Sequence, residues 1–66
     1  MKVESSMISE IEHNGKDLII TFTTGGTYLY ENVPTSVYEE FTKAPSKGQY
    51  FHKNILKKYF YYTRLK

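Results

Sequence analysis

His13 and His52 are the only imidazoles in a chain of 66 residues that has no cysteine. A zinc site needs three or four ligands held in fixed geometry. Glu12, His13 and Asp17 fall close together, but nothing in their spacing makes them converge, so neither a metal nor a cofactor is expected. Serines and threonines are plentiful, yet none stands in the Gly-x-Ser-x-Gly elbow that exposes a nucleophile. Gly25-Gly26 lacks the Lys-Ser/Thr and the helix that follow in a phosphate loop, and reads as a turn. Catalysis therefore has no residues to carry it, and a non-enzymatic protein is expected.

What the sequence does concentrate is positive charge and aromatic surface. Its net charge is +2, but from residue 1 to 42 two lysines face seven acids, whereas from Lys43 onward seven cations meet no acid at all. Such a split points to an anionic partner for the basic half. The competing explanation is that the basic half folds against the acidic one. Between Ser46 and Lys66, Lys47, Lys53, Lys57, Lys58 and Arg64 interleave with Tyr50, Phe51, Tyr59, Phe60, Tyr61 and Tyr62. Proteins that hold single-stranded nucleic acid combine a cationic groove with rings on which bases stack. On an ideal helix Lys53 and Lys57 lie one turn apart on a shared face, where both can meet phosphates. The candidate wall for a nucleotide is Tyr28, Tyr30, Tyr50 and Phe51, with Ser46, Lys47 and Lys53 for its phosphate. Lys57, Tyr59 and Arg64 complete the ligand-binding set. The structural alternative makes Phe51, Ile55 and Tyr59 core and the lysines a solvated face, with Tyr28 and Tyr30 packing and their hydroxyls at the rim.

Five segments must position these residues. Val3 to His13 ends at Asn14-Gly15, the strongest short hairpin signal because both residues tolerate positive φ. Asp17 to Thr23 alternates Leu18, Ile20 and Phe22 with Ile19, Thr21 and Thr23, a strand pattern. Gly25-Gly26 is a second turn, and Thr27 to Val33 reads as a third strand with Tyr28 and Tyr30 on one face. A two-residue loop would pair Phe22 with Leu29. A three-residue loop pairs Phe22 with Tyr28 and Ile20 with Tyr30, and is favoured because it gathers Leu18, Ile20, Phe22, Tyr28 and Tyr30 on one side. Pro34 stops the sheet. Ser36 with Glu39 forms a capping box for a helix running to about Ala44, where Pro45 breaks it. Ser46 with Gln49 caps a second helix that carries Phe51, Ile55 and Tyr59 at spacings of four. The tail from Phe60 to Leu65 has β-type composition and adds a fourth strand or packs as an extended arm.

An ordered set of residues then matches a known family. It comprises Ser5-Ser6-Met7-Ile8, Leu18-Ile19-Ile20-Thr21-Phe22, Gly26-Thr27-Tyr28-Leu29-Tyr30, Val33-Pro34, Ala44, Ser46, Gly48, Tyr50-Phe51, Ile55 and Tyr59. In order and spacing it resembles the KTSC domain, a module found at the C-terminus of some lysyl-tRNA synthetases and as a small stand-alone protein in bacteria and their phages. The resemblance spans almost the whole chain and centres on Tyr-x-Tyr and Val-Pro. It implies no catalytic activity, and its association with the synthetase suggests RNA binding. The chain departs from the family at Glu12-His13-Asn14, where Gly-Tyr-Asp is frequent, and at Phe51-His52, where Phe-Asn is frequent.

The expectation is a single α+β domain over residues 1–66. It comprises a three-stranded antiparallel meander followed by two short helices, with a short C-terminal strand as the option for the tail. Its expected role is a binding module for RNA or a nucleotide. The alternatives are a protein-interaction domain or homodimer that pairs at a sheet edge, and phage-type sequestration of a small nucleotide signal. The longest aliphatic run, Leu18-Ile19-Ile20, is far too short to cross a bilayer. With no secretory signal in residues 1–12, a cytoplasmic location with no membrane partner is expected.

Overall fold

The computed structural model describes residues 1–59 and 61–66. Four strands form one antiparallel sheet in sequential order: β1 (Ile8–His13), β2 (Leu18–Phe22), β3 (Thr27–Tyr30) and β4 (Tyr62–Arg64). Between β3 and β4 lie α1 (Thr35–Lys43) and α2 (Lys47–Tyr50), the latter continuing as a π-helical turn over Phe51–Ile55. The α+β architecture expected from the sequence is thus the one observed, and the tail takes the strand option. Among the described residues no helix is long and apolar enough to cross a membrane. Phe60, part of the aromatic run singled out above, lies outside the described residues.

The first strand is shorter than the Val3–His13 segment read from the sequence. Residues 1–7 instead fold back along it: the Val3 amide donates to Ser9 O at 3.1 Å and the Ile11 amide to Met1 O at 2.9 Å. The Met1 ammonium donates to Ile11 O at 2.8 Å and pairs with the Glu12 carboxylate. The β1–β2 register shifts between Ile8 and Glu10, which places a bulge at Ser9. That bulge answers a parity problem. Ile8 and Ile11 are three residues apart and would face opposite ways on a regular strand, yet both are fully buried. One extra residue turns both inward. The first turn spans Gly15 and Lys16. Asn14 closes it with its side chain, Oδ1 accepting from the Lys16 and Asp17 amides at 3.0 and 2.7 Å. Gly15 supplies the positive φ, +95°.

The second hairpin keeps the expected face but not the expected register. Leu18 pairs with Tyr30 and Ile20 with Tyr28, two residues away from the favoured pairing. The chain turns earlier than expected. The Gly25 amide donates to Phe22 O and the Phe22 amide to Gly26 O, both at 3.0 Å, so the loop is Thr23-Thr24-Gly25. Gly25 at φ +108° matches the three-residue hairpin that ends in a left-handed glycine. A shift of two preserves side-chain parity, so Leu18, Ile20, Phe22, Tyr28 and Tyr30 still share one face.

That face meets the helices. Ile8, Ile11, Leu18, Ile20, Tyr30, Val33, Phe41, Phe51 and Ile55 form the buried core. Helix α1 is capped two residues before the Ser36 cap read from the sequence. Its N-cap is Pro34, whose side chain has no acceptor to offer, and Pro34 O accepts from the Val37 amide at 3.0 Å. The Ser36–Glu39 box therefore does not form. The Ser46 cap does, its Oγ accepting from the Gln49 amide at 3.3 Å. Phe51 and Ile55 lie inward as the spacing of four requires, and Leu56 closes the π turn by donating to Phe51 O at 2.8 Å.

Tyr50 ties the two helices together. Its ring stacks on Phe41 at 5.3 Å, and its hydroxyl donates to Glu40 Oε1 at 3.0 Å and Val37 O at 3.3 Å. Burial, then the hydrogen bond and negative charge of Glu40, then Tyr59, push the hydroxyl up to about 12. A raised pKa in the folded state means the native protein holds this proton while the unfolded chain releases it near pH 10. The resulting stability is complete below pH 10 and fades between pH 10 and about 12. Tyr50→Phe is expected to cost about 1 kcal/mol at neutral pH for the lost hydrogen bond. It should also flatten the alkaline decline, read as melting temperature against pH. Parallel wild-type and Y50F curves through that window would refute the assignment.

Candidate nucleotide-binding surface

The sequence-derived ligand set divides between two places. A hollow of about 330 Å³ opens on the sheet face, lined by Phe22, Thr24, Gly25, Tyr28, Tyr30, Leu56 and Tyr62. A smaller one of about 200 Å³ lies at the start of α2, lined by Ala44, Pro45, Ser46, Gln49, Tyr50, Lys53 and Asn54.

The larger hollow is built by cross-strand pairing. Tyr30 opposes Tyr62 and Tyr28 opposes Arg64 across β3 and β4. The Tyr28 ring lies 5.7 Å from Tyr62 and 5.7 Å from Phe22, and Tyr30 lies 5.6 Å from Tyr62. The Arg64 guanidinium sits 5.7 Å from the Tyr28 ring centre, within cation–π range. Its Nε donates to Lys66 O at 2.8 Å, which holds the fork in place. Gly26 leaves room for both: a Cβ there would stand 3.0 Å from Tyr28 Cε1. Tyr30 is only 4% exposed, and burial, with Tyr62 and Tyr28 alongside, raises its hydroxyl pKa. Among the described residues no carboxylate lines this hollow. Leu56, at its border, is followed directly by the exposed Lys57 and Lys58.

The remaining residues of the set go elsewhere. Phe51 is core, 4% exposed, with its ring edge-on to Phe22 and Tyr30. Tyr50 is occupied by Phe41 and Glu40, as described. Tyr59 is half-buried against the core. Lys47 spends its ammonium on Ala44 O at 2.5 Å. Ser46 and Lys53 line the smaller hollow, whereas Lys57 lines neither. Of the residues lining the larger hollow, Phe22, Thr24, Gly25, Leu56 and Tyr62 lie outside the sequence-derived set. Tyr62 stands opposite Tyr30 through the β3–β4 register, which no local pattern in the tail sets.

Charge matching within the fold does not consume the basic half. Among the described residues the one ion pair is Met1 with Glu12. No cluster of three or more metal-ligating side chains occurs among them. His13 instead does structural work that its type did not advertise. The Gly15 amide donates to Nδ1 at 3.1 Å, so Nε2 carries the proton that reaches Val33 O at 2.6 Å. Its ring stacks on Tyr38 at 5.3 Å, pinning the β3–α1 connection to the first hairpin.

The chain is similar to known proteins. The KTSC domain profile matches residues 4–59. A lysine–tRNA ligase of Trichormus variabilis is 44% identical over 63 residues, covering 92% of this chain and 11% of the ligase. That of a Nostoc species is 43% identical over 67 residues, covering 98% and 12%. The chain therefore spans about a tenth of the length of these curated relatives. The crystal structure of a KTSC domain protein from Yersinia pestis superposes with a TM-score of 0.94 at 32% identity, over 100% of this chain and 94% of that one. With the profile covering both helices and three of the four strands, and a solved member matching the fold end to end, the chain belongs to the KTSC domain family.

Proposed function

We propose that this domain is a non-catalytic binding module for single-stranded RNA or a nucleotide, and that the tyrosine-walled hollow receives a base. One observation carries the reading: aromatic rings converge on an acid-free hollow that has Arg64 stacked on one wall and Lys57 and Lys58 next to its border. Rings offer any base a stacking face, and cations outside the ring cluster suit the phosphates that flank it. The relatives named as lysine–tRNA ligases make RNA the first polyanion to try.

The test is a fluorescence-anisotropy titration of the protein into a labelled single-stranded RNA octamer across a salt series. Binding should weaken steeply with salt, because each neutralised phosphate of a single strand contributes a slope of about −0.7 in log K against log salt. Lys57→Ala with Lys58→Ala should lower the magnitude of that slope by roughly 1.4. A salt-independent affinity, or a double variant with the wild-type slope, would sink the reading. Self-association through the exposed edge of β4 is the competing reading, and it requires concentration-dependent sedimentation of the free protein.

A further inference from the structure

We infer that the tail, residues 61–66, confers binding on this domain rather than stability: β4 supplies the wall and the cation of a hollow whose floor the rest of the chain builds. This rests on the nucleotide-binding reading of the same hollow. Among the described residues, all nine of the buried core lie between Ile8 and Ile55. Every residue of the tail is exposed, Tyr61 by 78% and Tyr62 by 56%. The tail therefore adds no buried side chain to the core. What it adds stands at the hollow. Tyr62 lies within 5.7 Å of Tyr28 and 5.6 Å of Tyr30, and Arg64 covers the outer face of Tyr28.

The family profile ends at residue 59, before β4, while the Yersinia pestis structure superposes over the whole chain. The strand thus recurs in space where the profile does not reach. Its hydrogen bonds to β3 and the adjoining residue are backbone ones. The Glu31 amide donates to Tyr61 O at 3.1 Å and the Leu65 amide to Thr27 O at 2.6 Å. Antiparallel pairs alternate between hydrogen-bonded and non-bonded, so these two bonds place Thr63 in a hydrogen-bonded pair with Leu29 between them. A short strand held by a few ladder bonds, without core side chains, is an element that opens at low cost. Docked, it closes one side of the hollow around a base and presents Arg64 to the adjoining phosphate.

Thr63→Pro in the full chain tests this, because proline removes the central ladder donor without touching the core. The expected result has two parts. The amide signals of Ile11, Leu18 and Ile55 keep their native shifts while those of residues 61–66 collapse to random-coil positions. Affinity for the RNA octamer falls at least tenfold. Arg64→Ala, at an exposed position, is the companion variant, and should lose about fivefold in affinity and reduce the salt slope by about 0.7. Wild-type binding with equal binding by both variants overturns the role of the tail and leaves the nucleotide reading standing. Loss of the core shifts in T63P, with Arg64→Ala binding as wild type, overturns it as well, by making the tail structural. No binding by the wild-type chain overturns both.

Discussion

Phe41→Ala is expected to remove a large share of the domain's stability at 25 °C. Phe41 is fully buried, stacked on Tyr50, and stands where α1 closes over the sheet. Truncating a buried Phe to Ala costs about 3–5 kcal/mol, because the collapsed site does not refill. The protein has little to spare. At roughly 0.05–0.15 kcal/mol per residue, a chain of this length holds about 3–10 kcal/mol in total. Neither a disulfide nor, among the described residues, a metal cluster stands behind that core. Phe41→Leu keeps most of the volume and should cost about 1.5 kcal/mol or less. Urea denaturation followed by far-ultraviolet circular dichroism measures both. A Phe41→Ala midpoint within about 1 kcal/mol of wild type, on the usual linear extrapolation, would show that α1 is not what closes the core.

The second large effect is on binding. Tyr28→Ala with Tyr62→Ala should weaken RNA binding by roughly 30-fold to 10⁴-fold at fixed salt, since each ring–base stack contributes about 1–3 kcal/mol. The rings touch at 5.7 Å, so the two single substitutions should not add. Part of any loss belongs to folding, because Tyr28 also packs against the core. Tyr28→Phe with Tyr62→Phe separates the two contributions: it preserves the stacking faces and removes only the hydroxyls. Retained affinity in the phenylalanine pair with loss in the alanine pair assigns the energy to the ring faces. Wild-type affinity in the alanine pair rules the hollow out as the site.

Much of the scaffold could be read from local pattern. Leu18, Ile20 and Phe22 alternate as a strand must, and Pro34 and Pro45 bound the first helix as their chemistry demands. What escaped was set by interactions distant in sequence. The register of the second hairpin depends on which three residues make its loop, and Thr23 and Thr24 carry no turn signature of their own. The bulge at Ser9 exists because both Ile8 and Ile11 must face inward, a demand imposed by the helices and invisible within the strand. The Ser36–Glu39 pair looked like a cap, but the Pro34 carbonyl started the helix first.

The candidate site was legible by type and not by place. The sequence displays eleven aromatic residues without saying which are inside. Phe51 and Tyr50 lie next to the lysines in sequence, yet the helical stripe takes one into the core and the Phe41 stack claims the other. Tyr62 sits in a run of similar rings and acquires its position only by pairing with Tyr30, thirty-two residues earlier. Partition between core and hollow is decided by sheet pairing, which composition does not encode.

The π-helical turn over Phe51–Ile55 carries one residue more per rung than α-winding. That surplus sets the phase of everything after it. Removing a single residue from the rung would restore ordinary winding and leave the downstream chain near its present azimuth, because a wide turn of this kind absorbs one extra residue within the helix. Winding the same five residues as α-helix would instead turn the downstream chain by about 100°, the angle one α-helical residue subtends. Leu56 would then leave the border of the hollow, and the lysines behind it would point elsewhere. The wide rung thus works as an angular spacer that keeps the charged flank aligned, with Phe51 seated in its place.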